Sequence, residues 1–145
     1  MRIADILRAK GSSVATITET TSVTGLLAEL AVHNIGAMVV IRADGVVVGI
    51  VSERDVARGL AEHGPELLRR PVAEIMSAVV VSCRPGDPID DLAALMTHNR
   101  VRHVPVLDGG RLAGIVSIGD VVKVRMEELA AQREQLEAYI TQGAR

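Results

Sequence analysis

The sequence predicts a mixed α/β (α+β) protein: two β-α-β-β-α units packed as a pseudo-twofold pair, followed by a long C-terminal helix. Three observations predict it. The octet GIVSERDV at 49–56 returns as GIVSIGDV at 114–121, 65 residues later and identical at six of eight positions. Each octet ends an aliphatic, β-branched run that is interrupted by a turn signal, Asp44-Gly45 in one half and Asp108-Gly109 in the other. Ahead of each run lies a stretch with apolar residues at helical spacing, TSVTGLLAELAVHN and DPIDDLAALMTHN.

Taken in order, the lead-ins agree as well: IADIL then VATITE in the first half, VAEIM then VVVSCRP in the second. Each reads as a short helix followed by a short strand. The next helix begins near Ser22 in one half and near Pro88 in the other, where a missing N–H costs nothing in a first turn. In the second copy Ile89, Leu92, Ala93 and Met96 follow the i, i+3, i+4, i+7 rule. The runs GAMVVI and VVVGIV are almost wholly aliphatic, so both faces of this strand pair are expected to be buried. Gly64-Pro65 and Arg69-Arg70-Pro71 mark the joint. The expected division is a first unit at 1–66 with its N-terminal helix, a second at 67–125, and a helical extension at 126–145. Units of about 65 residues are marginal alone, so their sheets should pack on one another. The stretch VVKVRMEELAAQREQLEAYITQ reads as one helix of about five turns, in which Val122, Met126, Leu129, Arg133, Leu136 and Ile140 recur at 4-3-4-3-4 spacing, a coiled-coil-like seam with one polar break. It can pack near its own N-terminal helix or against a second subunit.

Composition removes several classes of function. Of 145 residues, 48% are apolar, but there is one Tyr and no Phe or Trp. The core must be aliphatic, and stacking platforms for single-stranded bases are missing. A net charge of −2 gives no bias toward nucleic-acid phosphates. Cys83 is the single cysteine, and His33, His63, His98 and His103 form no metal-ligand spacing, so neither a disulfide nor a metal is expected. No apolar run approaches 18 residues and no secretory leader is evident, which predicts a soluble, cytoplasmic protein without a membrane partner. A P-loop, a nucleophile elbow and an HExxH motif are all lacking, so no enzyme and no catalytic cofactor are expected.

The octet itself has two readings. Ser52 and Ser117 stand between a strand and a helix, where a hydroxyl accepts from an orphan N–H, and the Asp three residues on approximates a capping box. The same geometry offers a helix N-terminus to a phosphate and an acceptor-only carboxylate to a ribose diol. Both uses can coexist.

The unit ending in G-h-h-S/T-x-x-D (h apolar), written twice and with RHVPVLDGG in the second copy, resembles the cystathionine-β-synthase (CBS) domain over roughly residues 3–125. The tandem is similar to a stand-alone Bateman module. The resemblance implies a regulatory sensor that holds an adenosine nucleotide (AMP, ADP, ATP, NAD or S-adenosylmethionine) between the repeats, dimerises with itself, and signals to a regulated protein partner. A dimerisation module without ligand and a small enzyme are the alternatives. It places Ser52, Asp55, Ser117 and Asp120 on the sugar and its phosphate. It places Thr16-Ile17 and Ser82-Cys83 beside the adenine, although Thr16 and Ser82 also read as ordinary strand and turn residues. Ala37, Met38, Val104 and Pro105 belong to the strands along the ligand. Arg102 and His103 supply basic groups for phosphate where the first half has Gly36-Ala37, so Arg54 is the candidate there, or else a solvated helix-end residue. Ile118 in place of Glu53 can cover a base face, and with Gly119 and Arg102-His103 it makes the second octet the better expected site.

Overall fold

The computed structural model describes residues 1–11, 13–78 and 81–143. Its elements are α1 (Ile3–Lys10), β1 (Thr16–Thr18), α2 (Val23–His33), β2 (Ala37–Ile41), β3 (Val47–Ser52), α3 (Glu53–His63), β4 (Ser77–Ala78), α4 (Ile89–Asn99), β5 (His103–Asp108), β6 (Arg111–Ser117) and α5 (Ile118–Gly143). Two 3-10 segments, Gly64–Arg69 and Val72–Glu74, join the halves. The mixed α+β class and the long last helix are as the sequence predicts.

Each half folds around an antiparallel hairpin. In the first, β1 runs parallel to β2 with Thr16 opposite Val39, and β2 pairs antiparallel with β3. In the second, β5 pairs with β6, and Cys83 bridges in parallel to Val106. Of the strand expected in VVVSCRP, residues 79–80 lie outside the described residues; Cys83 carries the ladder bonds, its N–H donating to Pro105 O at 3.1 Å and its O accepting from Leu107 N at 2.8 Å. Both hairpins slip register at equivalent places, Val40/Ile41 and Val106/Leu107. The Asp-Gly signals turn as expected, with Gly45 at φ +84° and Gly109 at φ +58°.

Burial of the strands departs from expectation in one respect. Residues Ala37 to Val40 of β2 are all buried, but β3 alternates, with Gly49 and Val51 inside and their neighbours half-exposed. A strand buried on one face needs this period-two pattern, and the aliphatic run VVVGIV concealed it.

The halves are joined by exchange. Two core clusters exist, one on each sheet. Ile3, Ile6 and Leu7 of α1 pack with Ile89, Leu92 and Val104 of the second half. Leu67 and Val72, which follow the joint, pack with Val23, Leu26 and Val51 of the first. The backbone repeats the exchange: Ile3 N donates to Asp87 O at 3.0 Å and Ile89 N to Met1 O at 3.2 Å, while Val72 N donates to Thr21 O at 2.8 Å and Val23 N to Arg70 O at 2.9 Å. The bridges Arg2↔Pro88 and Ser22↔Pro71 are its two pseudo-equivalent ends. Finally, β4 adds to the first sheet, pairing antiparallel with β3.

This exchange explains the glycine that opens each octet. A β-carbon on Gly114 would lie 2.5 Å from Leu7 Cδ2, and one on Gly49 would lie 2.8 Å from Met76 Sδ and 2.7 Å from Ser77 O. Each glycine makes room for the lead-in of the other half. The obstacle at Gly114 is a side chain that can rotate, whereas at Gly49 it includes backbone. Gly49→Ala is therefore expected to cost about 1–3 kcal/mol, the range for overpacking, and Gly114→Ala less. Urea unfolding of the two variants checks the order.

Candidate functional site

Both octets form reciprocal capping boxes. Ser52 Oγ accepts from Asp55 N–H at 3.3 Å, and Asp55 Oδ2 accepts from Ser52 N–H at 2.8 Å and from the Ser52 hydroxyl at 3.0 Å. Asp120 N–H donates to Ser117 Oγ at 3.2 Å, and Ser117 N–H to Asp120 Oδ2 at 2.8 Å. All described hydrogen bonds of the two carboxylates run through Oδ2, so Oδ1 of each is left for another donor. The next N–H is spent in the same way in both halves: Glu53 N donates to Gly36 O and Ile118 N to Arg102 O, at 3.0 and 2.8 Å.

Two cavities flank these caps, and each spans the halves. The first, about 540 Å³, has Ser52, Glu53, Arg54, Asp55 and Arg58 on one wall. Its other wall is Ser77, Ala78, Val81 and the Asn99–His103 stretch. The second, about 570 Å³, sets Ile115, Ser117 and His103 against Ser13, Val14, Ala15, Gly36 and Ala37, with Lys10 at its edge. Both volumes suit a small-molecule ligand. Each octet thus faces strands of the opposite half.

Among the sequence-predicted residues, the first cavity gathers Ser52, Arg54, Asp55, Arg102 and His103, and the second gathers Ala37, Ser117 and His103. Arg102 faces the first octet, so that part of the argument favouring the second octet transfers to the other cleft. Asp120 stands behind Ser117, bonded to Lys10. Neither lining includes Thr16, Ile17, Met38, Ser82, Cys83, Val104, Pro105 or Ile118. Ile17, Met38, Cys83, Val104 and Pro105 are buried in their sheets, Thr16 is exposed on β1, Ser82 is exposed ahead of Cys83, and Ile118 is 40% exposed at the start of α5.

The octets differ electrostatically. Lys10 Nζ lies 2.8 Å from Asp120 Oδ2 and donates to Ile115 O at 3.0 Å. Asp55 has no ion pair among the described residues. Burial pushes the Asp120 carboxyl up, but the Lys10 ammonium and the Ser117 N–H together outweigh it and hold it below the usual carboxylate range. His103, at the boundary of the two cavities, is held below the ordinary imidazole value by burial and then by Lys10, with Asp120 opposing. Burial, reinforced by Asp87, pushes the Cys83 thiol up to about 12, so this cysteine is an inert core residue. No group of three or more His, Cys, Asp or Glu among the described residues is arranged to hold a metal.

Among the lining residues that escaped sequence reasoning, three carry a permanent positive charge. Arg58 was findable, since it stands one turn beyond Arg54 on the same helix face. Arg100 follows the His-Asn pair at the end of the preceding helix, where no motif marks it. Lys10 belongs to no motif, and only the exchange of α1 brings it to Asp120.

Comparisons with known proteins agree with this architecture. The chain is 32% identical to the mitochondrial CBS domain-containing protein CBSX3 of Arabidopsis thaliana, over 97% of this chain and 72% of that protein. The solved structure of the CBS-domain containing protein ATU1752 from Agrobacterium tumefaciens superposes with a TM-score of 0.83 at 45% identity, covering 86% of this chain and 99% of that one. The CBS domain pair of protein MJ0100, solved in complex with 5′-methylthioadenosine and S-adenosyl-L-methionine, matches with a TM-score of 0.75 at 27% identity, over 86% and 98% of the two chains. The protein PAE2072 from Pyrobaculum aerophilum, complexed with AMP, matches at 0.74 and 28%, over 83% and 89%. The family model for the CBS domain matches twice, at residues 3–62 and 72–127, and the chain belongs to the CBS-domain family as a tandem pair.

Proposed function

We propose that this CBS pair is a regulatory module that binds an adenine-containing small molecule between its halves and passes the resulting change to a partner protein as a homodimer. The observation that carries the reading is the pair of cavities, each walled by the capping serine of one octet and strands of the opposite half. A ligand there touches both halves at once, so its binding energy can bias their arrangement. The AMP bound by PAE2072 and the 5′-methylthioadenosine and S-adenosyl-L-methionine bound by MJ0100 support an adenosine ligand. In this reading Oδ1 of Asp55 or Asp120 accepts from the ribose diol, and Ser52 or Ser117 lies beside the sugar phosphate. The lining side chains in this reading serve binding rather than turnover. No helix among the described residues is long and apolar enough to cross a membrane.

Self-association is assigned to α5. Of its 26 residues only Val121 and Val124 are buried, while Met126, Leu129, Leu136 and Ile140 are exposed along one seam. A helix that buries so little of its own length is marginal alone, and a second copy presents the same seam.

Thermal unfolding tests the ligand class. Adenosine nucleotides are expected to stabilise the protein by about 2.7 kcal/mol at a concentration near 100 times Kd, with no shift from guanosine or pyrimidine nucleotides. Equal shifts from every nucleotide would remove the adenine reading, and no shift from any would leave a dimerisation module without ligand.

A further inference from the structure

We propose that the first cavity selects adenine nucleotides by phosphate number, favouring the di- and triphosphate over the monophosphate, through a clamp of Arg54, Arg58, Arg100 and Arg102. The inference rests on the adenine-binding reading and adds the charge class of the ligand at one cleft.

Four guanidinium groups line this cavity against two carboxylates, Glu53 and Asp55, a cationic surplus of two in a chain whose net charge is −2. None of the four takes part in an ion pair among the described residues, so neither cavity carboxylate neutralises them by direct contact. Like charges gathered on the walls of a cleft repel one another and focus a positive potential into it, which an anion relieves. Guanidinium forks match phosphate oxygens in pairs, so more than two forks are best used by more than one phosphate.

The backbone adds an independent observation. Helices α2 and α4 both end in a left-handed cap residue. In the first half it is Asn34, at φ +52°, a residue that tolerates this region. In the second it is Arg100, at φ +56°. The helix dipole favours a cation at this end, and the side chain of Arg100 lines the cavity.

The clamp also spans the halves. Arg54 and Arg58 share a face of α3, while Arg100 and Arg102 flank Val101 at the entry to β5. The second cavity has no such set. Its one permanent cation is Lys10, already committed to Asp120, and burial favours neutral His103.

The test is titration calorimetry of the full chain with adenosine, AMP, ADP and ATP at fixed ionic strength without magnesium. Wild-type affinity is expected to rise at least tenfold from AMP to ATP, and the ATP:AMP ratio to fall toward one in Arg54→Ala/Arg102→Ala. These arginines are exposed, so the variant should keep its fold, and circular dichroism checks that it does. Arg111→Ala, on the β5–β6 hairpin and outside both cavity linings, should keep the ratio. Equal AMP and ATP affinities in the wild type, or a ratio that survives in the double variant, would overturn the clamp while leaving the adenine reading intact. Binding of no adenine compound would remove both. A matching rise from GMP to GTP would uphold the clamp and remove the adenine reading.

Discussion

Ile3→Ala is expected to lower stability by about 2–5 kcal/mol, the cost of emptying a large aliphatic site in a packed core. Ile3 is 0% exposed and sits in the cluster of the second half, among Cys83, Ile89 and Val104. A domain of this kind has roughly 5–15 kcal/mol to lose, so one terminal methyl-rich side chain carries a large share. The counterpart is Leu67→Ala, also 0% exposed, which empties the first core from the far side of the joint. Urea midpoints measure both losses. Cys83 reports which core has loosened, because the thiol lies in the Ile3 cluster and its high pKa leaves almost no thiolate while buried. Thiol labelling should accelerate more in Ile3→Ala than in a Leu67→Ala protein of equal midpoint. A loss below about 0.5 kcal/mol for Ile3→Ala, the ordinary range for an uninvolved surface position, would mean that α1 is not packed in that core.

The second large effect is expected from Leu129→Glu and Leu136→Glu. In one chain these side chains are 64% and 62% exposed, so neither substitution disturbs an internal contact and monomer stability should be unchanged. In a dimer that closes the seam, each places an unpaired carboxylate in an apolar interface. That costs several kcal/mol or forces the group to take up a proton. Every 1.4 kcal/mol is tenfold in the dissociation constant, and a symmetric interface counts the substitution twice. Dissociation should therefore rise by two or more orders of magnitude, visible by sedimentation at micromolar protein. Variants that remain fully dimeric would assign the interface to helices of the repeats and release α5 for another role.

Most of the local structure was legible because it is written in local rules. The Asp-Gly turns, the Ser22 cap, which accepts from Gly25 N–H at 3.1 Å, and the octet capping boxes each need only residues within four positions of one another. The exchange was not legible, because IADIL and VAEIM carry the same pattern whichever core receives them. The site followed the same division. Ser52 and Asp55 were found by motif, while Lys10 reaches Asp120 across 110 positions that no spacing rule connects. The burial of Met38, Val104 and Pro105 followed from sheets packed on both faces, and it keeps their side chains from either cavity. The tail was read correctly as one helix, and α5 runs without a break from the second octet to Gly143.

The destination of α1 sets an order on synthesis. Ile3, Ile6 and Leu7 leave the ribosome well ahead of the rest of their core, whose other buried members run from Cys83 to Val124. At ordinary elongation rates the nascent helix waits on the order of ten seconds for those residues to be made. During that interval Ile3, Ile6 and Leu7 have no native partner, while the first sheet can close as soon as Ala78 emerges. The helix made before its core is seated after it, and a chain stalled in its second half would present an unhoused apolar segment to chaperones and proteases.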